Sequence, residues 1–175
     1  MLKLELMQIS SGMLKALLHY DPDSGIFIWL VDRGKGSKAR IGMEAGRTRN
    51  YKGRPYITIY LYGRHHFAHR LAYLYMTDTW PPTSLDHKDN DGTNNKWTNI
   101  RLADLSQNGA NAKRYSTNTS GRKGVTWHKQ IGRWQAQIKK DGRTFYLGLF
   151  DCLDAAHGAY LAKAKELFGE FARAE

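Results

Sequence analysis

Apolar and polar positions along this chain fall into stretches of different rhythm. After ten residues of mixed character, which read as a loosely packed leader, Met13, Leu14, Leu17 and Leu18 share one face of a helix that follows Ser11 and ends near His19. Residues 20–25 (YDPDSG) have turn composition, and residues 26–31 read as a strand carrying Phe27 and Trp29. Strict alternation returns at residues 56–62 (YITIYLY), a strand turned by Gly63-Arg64. A helix then opens at His69-Arg70-Leu71 and runs through Met76, and the rigid Trp80-Pro81-Pro82 link closes it.

A short apolar return (Trp97, Ile100, Leu102) leads to Asp104, an N-cap whose capping-box partner is Gln107. That pattern starts a helix with Asn108 in its first turn and Asn111 a turn later. Residues 112–120 lack apolar periodicity and form a polar linker. Three short alternating strands follow (KGVTWHK, RWQAQIKKDG, RTFYLGLF), then an Ala-rich helix over residues 151–168, expected to be capped by Asp151. Alternation puts Val125, Trp127, Trp134, Ala136, Ile138, Phe145 and Leu147 on one sheet face, where Leu153, Ala156, Tyr160 and Ala164 of the helix can cover them. The opposite face carries Thr126, His128, Gln135, Gln137, Lys139, Thr144 and Tyr146, with Lys123, Arg133 and Arg143 at the strand ends.

The densest chemistry lies in residues 86–111, DHKDNDGTNNKWTNIRLADLSQNGAN. Folding back through the Asn-rich loop and into the helix brings Asp86 and Asn108 towards one point, with His87 beside them. Carboxylate and amide oxygens are hard ligands suited to Mg2+ or Mn2+, and one or two protein ligands suffice for an ion that also binds phosphate and water. His87, with an ordinary imidazole pKa near 6.5, is the candidate general base for attack on a phosphodiester. This arrangement requires that Asp86 and Asn108 converge and that His87 not point into the protein interior. A polar turn loop with a solvated histidine is the bland alternative.

Charge narrows the partner. Lys and Arg outnumber Asp and Glu by 27 to 16, a formal charge of +11, which attracts polyanions. An anionic membrane would be attracted too, but no segment approaches the ~20 apolar residues of a span, so nucleic acid is favoured. The Gly- and Arg/Lys-rich residues 32–55 read either as solvated loops or as a phosphate-contacting surface; their glycines have no nucleotide-binding spacing, so no small-molecule cofactor is expected. The single Cys152 removes a disulfide framework and any cysteine-based zinc site, and the first residues are too short and charged for a secretory signal, so a cytoplasmic setting follows. His65, His66 and His69 are not read as a metal cluster, because neighbours on a strand point apart.

Asp86-His87, Asn99 twelve residues later and Asn108 nine beyond that resemble the HNH endonuclease motif, in the variant of phage intron and free-standing homing enzymes. The run AHRLAYLYM before it resembles the same layout, and the similarity covers about residues 13–113. The resemblance implies a strand–loop–strand–helix (ββα-metal) finger holding one divalent ion. His87 then activates water, Asp86 and Asn108 hold the metal, and Asn99 braces the loop that aims His87. Products with 3′-hydroxyl and 5′-phosphate ends, and a bacterial host cell if the gene is a phage's, follow from it as well. Residues 120–169, through GVTW, RWQAQI, YLGLF and DAAHGAYLAKAKELFG, resemble the plant ethylene-response-factor (APETALA-type) DNA-binding domain. Thr126 and His128 stand where that family carries arginine. A basic sheet front bearing Gln and Arg suits the major groove.

The expectation is therefore an α+β chain in four parts: a leader and helix at 1–19, an HNH nuclease domain at 20–113, a linker at 114–120, and a three-stranded antiparallel sheet packed on one helix at 121–175. The expected function is metal-dependent, site-specific cleavage of double-stranded DNA by a monomer or weak dimer with one active site, nicking one strand. The competing class is a non-cleaving, sequence-specific DNA-binding regulator.

Overall fold

A computed structural model describes residues 8–34, 39–114 and 117–173. The chain is a mixed α/β protein of small sheets, divided into two compact units, residues 1–102 and 103–175. Among the described residues no helix is long and apolar enough to cross a membrane.

In the first unit, helix α1 (Ser11–Leu17) is capped by the Ser10 hydroxyl, which accepts from Met13 N. The expected leader lies outside the described residues up to residue 7. Beyond it Ile9 is buried in the core, and its carbonyl accepts from Trp80 Nε1 at 2.9 Å. Strands β1 (Leu18–Asp21) and β2 (Ile26–Trp29) form an antiparallel hairpin with β3 (Glu44–Ala45) along its edge. Their apolar faces bury Leu18, Tyr20, Phe27 and Trp29 with Leu14, Ile59, Leu61, Leu71 and Leu74, which makes one core.

The basic stretch is not all loop. Strand β4 (Arg47–Tyr51) pairs with β5 (Arg54–Leu61), which pairs with β6 (Arg64–Phe67). Every residue of β4 is exposed, so no apolar alternation announced it; ladder hydrogen bonds to the legible β5 hold it. Residues 35–38 of the same stretch lie outside the described ones. Helix α2 (Ala68–Thr77) buries Ala68, Leu71, Ala72 and Leu74 and ends at Asp78, in left-handed backbone. Two strands, β7 (Ser84–His87) and β8 (Ile100–Ala103), then form a separate small sheet around the Asn-rich loop.

The second unit opens with α3 (Leu105–Asn111), where the capping box is present: Asp104 Oδ1 accepts from Gln107 N at 2.7 Å, and Gln107 Oε1 accepts from Asp104 N at 2.8 Å. Strands β9 (Val125–His128), β10 (Arg133–Lys140) and β11 (Arg143–Phe150) form an antiparallel sheet in the order β11-β10-β9. Helix α4 (Leu153–Phe168) packs Ala156, Tyr160, Ala164 and Phe168 onto Val125, Ala136 and Ile138. Two details differ from expectation. The α4 cap is Cys152, whose Sγ accepts from Ala155 N, while Asp151 is held by Arg133; and Trp127, assigned to the covered face, is 46% exposed and meets the Trp134 ring edge-on at 4.9 Å. Edge strand β9 extends Trp127 beyond the cover that α4 supplies.

Candidate active site

The loop between β7 and β8 is built from side chains that fold back on their own backbone, the habit of Asn and Asp. Asn99, at the end of a single 3-10 turn (Trp97–Asn99), donates through Nδ2 to Asp89 Oδ1 at 3.0 Å and to Asn94 O at 2.8 Å. Its Oδ1 accepts from Asp89 N at 3.2 Å, and its carbonyl accepts from Lys88 N at 2.9 Å. One buried amide thus ties the residues just after His87 to the start of β8. Burial pushes the Asp89 carboxyl up, but hydrogen bonds from Asp91 N, Asn99 and Asn94 outweigh it and hold the group below the usual carboxylate range.

His87 ends β7. Against the expectation of a ring facing away from the interior, it is only 6% exposed, packed edge-to-face on His69 at 4.8 Å and near Tyr56 at 6.1 Å. Its Nε2 lies 3.3 Å from Asn95 Oδ1. The Asn95 amide is oriented by its own Nδ2, which donates to Thr93 O at 3.0 Å, so the oxygen faces the ring. A carbonyl oxygen can only accept, hence the neutral imidazole carries its proton on Nε2 and its basic lone pair on Nδ1. Burial lowers the His87 pKa below that of a free imidazole, against raising contributions from Asn95 and from Asp89, Asp86 and Asp91. The ring is therefore neutral near pH 7, the form a general base requires. His69 is driven further, to about 3, by burial and by the His87 and Arg70 charges; its Nδ1 is buried without a hydrogen-bond partner.

Asp86 precedes the ring on the same strand. Arg101 of β8 grips its Oδ2 through Nε at 3.0 Å and Nη2 at 2.9 Å, with both side chains 10% exposed. The loop is also braced from a distance in sequence. Tyr20 OH donates to the Asn95 carbonyl at 2.7 Å, Trp97 N donates to Pro22 O at 2.9 Å, and Gly25, at φ +76°, lies so close to the Asn95–Lys96 peptide that any Cβ would collide with it.

The structure thus brings Asp86, His87 and Asn99 together within the first unit, and Asn108 lies in the second, half-buried on α3. Among the described residues no three His, Cys, Asp or Glu side chains form a metal cluster. The two expected metal donors, Asp86 and Asn108, are one carboxylate and one amide, both hard, and the Arg101 cation already seated on Asp86 shows a carboxylate built to face positive charge. That chemistry fits a hard divalent cation.

On the sheet of the second unit, cross-strand register sets Gln135 beside Thr126, Gln137 beside Tyr146 and Lys139 beside Thr144. Thr126, Gln137, Lys139, Arg143, Thr144 and Tyr146 are exposed, while Gln135 and His128 are partly covered. Two of the basic residues expected there are engaged elsewhere. Arg133 forms a two-bond pair with Asp151 at 2.7 and 2.8 Å, and Lys123 is half-buried with its ammonium on carbonyls of residues 109–112, drawn by the unsatisfied end of α3.

Sequence reasoning missed Asn95, Arg101, Tyr20 and Gly25. Asn95 was hidden among its neighbours, since seven of the eight asparagines fall between residues 90 and 118. Only Arg101, two residues after Asn99 on a two-residue repeat, carried a local hint that it faces Asp86.

Comparison with known proteins gives a consistent picture. Residues 66–110 match the HNH endonuclease family. The chain is 34% identical over 89 residues to Protein 3.8 of Escherichia phage T7, covering 51% of this chain and 73% of that protein. It is 30% identical over 157 residues to a protein of Acanthamoeba polyphaga mimivirus named Uncharacterized HNH endonuclease L560, covering 86% of this chain and 81% of the relative. No solved structure matches.

Proposed function

The chain belongs to the HNH endonuclease family, a DNA-cleaving enzyme, and from that premise we propose that it hydrolyses a phosphodiester of double-stranded DNA at the β7–β8 loop, with His87 as general base. The observation that carries this reading is the Asn95 Oδ1 contact to His87 Nε2, which fixes the tautomer with the basic lone pair on Nδ1. Asn99 holds the backbone on which the ring stands, so that Nδ1 keeps its aim while the rest of the loop stays polar. Asp86 and Asn108 are assigned as ligands of one Mg2+ or Mn2+, Asn108 from the spacing of the motif alone. When bound, that ion supplies charge stabilisation at the phosphoryl and leaving oxygens.

The ring has to accept a proton from water despite being buried. Its basicity is reduced by that burial, and the Asp86, Asp89 and Asp91 carboxylates favour the imidazolium once formed. With a single site per chain the expected product is a nick with 3′-hydroxyl and 5′-phosphate ends, in the manner of phage homing enzymes. The β9–β11 sheet backed by α4 is the proposed APETALA-type reading module. Thr126, His128, Gln135, Gln137, Lys139, Arg143, Thr144 and Tyr146 form its front, with Arg133 held ready by Asp151.

The test is incubation of supercoiled plasmids with Mg2+, with and without EDTA, using wild type, His87→Ala and Asp86→Ala. Wild type alone, and only with the metal, should convert supercoiled to relaxed circles. Equal nicking by His87→Ala would remove the base assignment, and nicking unchanged by EDTA would remove the metal.

A further inference from the structure

Helix α3 carries Asn108, yet everything that fixes this helix in the second unit comes from the sheet-and-helix module. At its start, Ser106 Oγ donates to Asp141 Oδ1 at 2.9 Å and accepts from Asp141 N at 2.9 Å, in the turn between β10 and β11. On its inner face Ala110, with Ala103 just before the helix, joins the cluster of Ile138, Tyr160, Ala164, Phe168 and Phe171. At its end the Lys123 ammonium donates to the carbonyls of Gly109 at 3.3 Å, Ala112 at 2.8 Å and Ala110.

A seven-residue helix is too short to hold itself together in water. Its last carbonyls are unsatisfied by the helix and carry partial negative charge, so an ammonium seated on three of them fixes both the position and the pitch of the final turn. Lys123 is itself firmly placed. Gly124 beside it lies under the Tyr160 ring where no Cβ would fit, and its carbonyl accepts from Gln137 N at 2.9 Å, tying this segment to β10. The ammonium sits one residue past Asn108, on the side of the helix turned to the module.

We propose that Lys123 is a positioning residue for Asn108: it clamps the end of α3 to the sheet module, so that the proposed metal ligand is held by the body that presents the DNA-reading strands. The proposal rests on the assignment of Asn108 as a ligand. It makes the reading sheet part of the scaffold of the catalytic centre, and Lys123 a residue that acts on metal binding rather than on DNA.

The test uses the full chain. Mn2+ binding is followed by electron paramagnetic resonance on the free protein, and duplex DNA affinity by gel mobility shift, for wild type, Lys123→Ala, Lys123→Arg, Ser106→Ala and Asn108→Ala; melting curves check folding. Lys123→Ala should weaken Mn2+ binding by about tenfold, the range seen when a group orienting a metal ligand is removed, with DNA affinity within about twofold of wild type. Lys123→Arg should recover most of the loss, and Ser106→Ala, which releases the other end of α3 at an exposed site, should weaken Mn2+ binding in the same direction should Lys123→Ala fail to fold. Unchanged Mn2+ binding in both Lys123→Ala and Ser106→Ala, with Asn108→Ala impaired, would overturn the clamp and spare the ligand. Unchanged binding in Asn108→Ala would overturn the ligand assignment itself. Loss of DNA affinity in Lys123→Ala with Mn2+ binding intact would make Lys123 a phosphate contact instead.

Discussion

Replacing Asn95 tests whether the imidazole of His87 is held in one tautomer. Asn95 is 2% exposed and spends its amide on two partners, His87 Nε2 at 3.3 Å and Thr93 O at 3.0 Å. Asn95→Ala deletes both bonds, and with about 1–3 kcal/mol for each buried hydrogen bond lost, the first unit should be destabilised by roughly 2–5 kcal/mol. The kinetic effect is separate. With no acceptor at Nε2 the ring proton can move to Nδ1, and the basic lone pair then faces the wrong way. A positioned general base contributes about 10²–10⁴-fold, so partial loss of that control should slow nicking by about 10–100-fold under conditions where the variant is folded. Asn95→Asp separates the two effects. Its carboxylate still accepts from Nε2–H and keeps the tautomer, and it raises the imidazole pKa, so nicking should stay within about tenfold of wild type while the acid limb of the rate profile moves to higher pH. The assay is single-turnover relaxation of supercoiled DNA in Mg2+ across pH 5–8, alongside urea denaturation. Wild-type rates in Asn95→Ala would refute the reasoning. Equal slowing in the Ala and Asp variants, with no shift of the acid limb, would show that Asn95 matters only as packing.

Gly25→Ala should be poorly tolerated, because the backbone there is left-handed and the new methyl collides with the Asn95–Lys96 peptide. Strain of this kind costs about 1–3 kcal/mol before any clash, and a drop in melting temperature of the first unit checks it. Acid should destabilise the protein through His69, whose folded pKa lies at about 3 against 6.5 for a free ring. Its contribution is complete above about pH 6.5 and is lost as pH falls towards 3, with a slope near 1.4 kcal/mol per pH unit; urea denaturation of His69→Phe should show that slope reduced by about one proton. Duplex DNA affinity should fall steeply with salt, by about 0.9 log units per log unit of salt for each phosphate neutralised, and Lys139→Ala should lower that slope by about one contact. A flat salt response in mobility-shift assays would remove the basic sheet front from the interface.

What the sequence disclosed follows from how local each signal is. The capping box at Asp104 and Gln107 is written in four residues, and it formed as read. The alternation of RWQAQIKK is likewise self-contained, and β10 follows it. The His87 ring, by contrast, is buried by Tyr56 and His69 from elsewhere in the chain, so a polar loop context suggested an openness that the fold removes. Strand β4 has no apolar face and exists only because β5 pairs with it. The bracing of Asn95 by Tyr20 depends on a contact spanning 75 residues, which no window on the sequence can contain. Asp151 was a sound N-cap candidate by type, but Arg133 competes for its carboxylate across the sheet and the cap passes to Cys152. Lys123 looked like one more cation at a strand end until α3 folded onto the same module and took its charge.

The most direct measurement removes the His87 ring and offers it back. His87→Gly leaves a buried space lined by Tyr56, His69 and Asn95, in which free imidazole can bind with its N–H on the Asn95 oxygen. The account predicts that His87→Gly nicks supercoiled DNA at least about 100-fold more slowly than wild type, and that added imidazole restores a saturable part of the rate while leaving His87→Gly/Asn95→Ala unrestored. Wild-type nicking by His87→Gly, or equal rescue with and without Asn95, would contradict it.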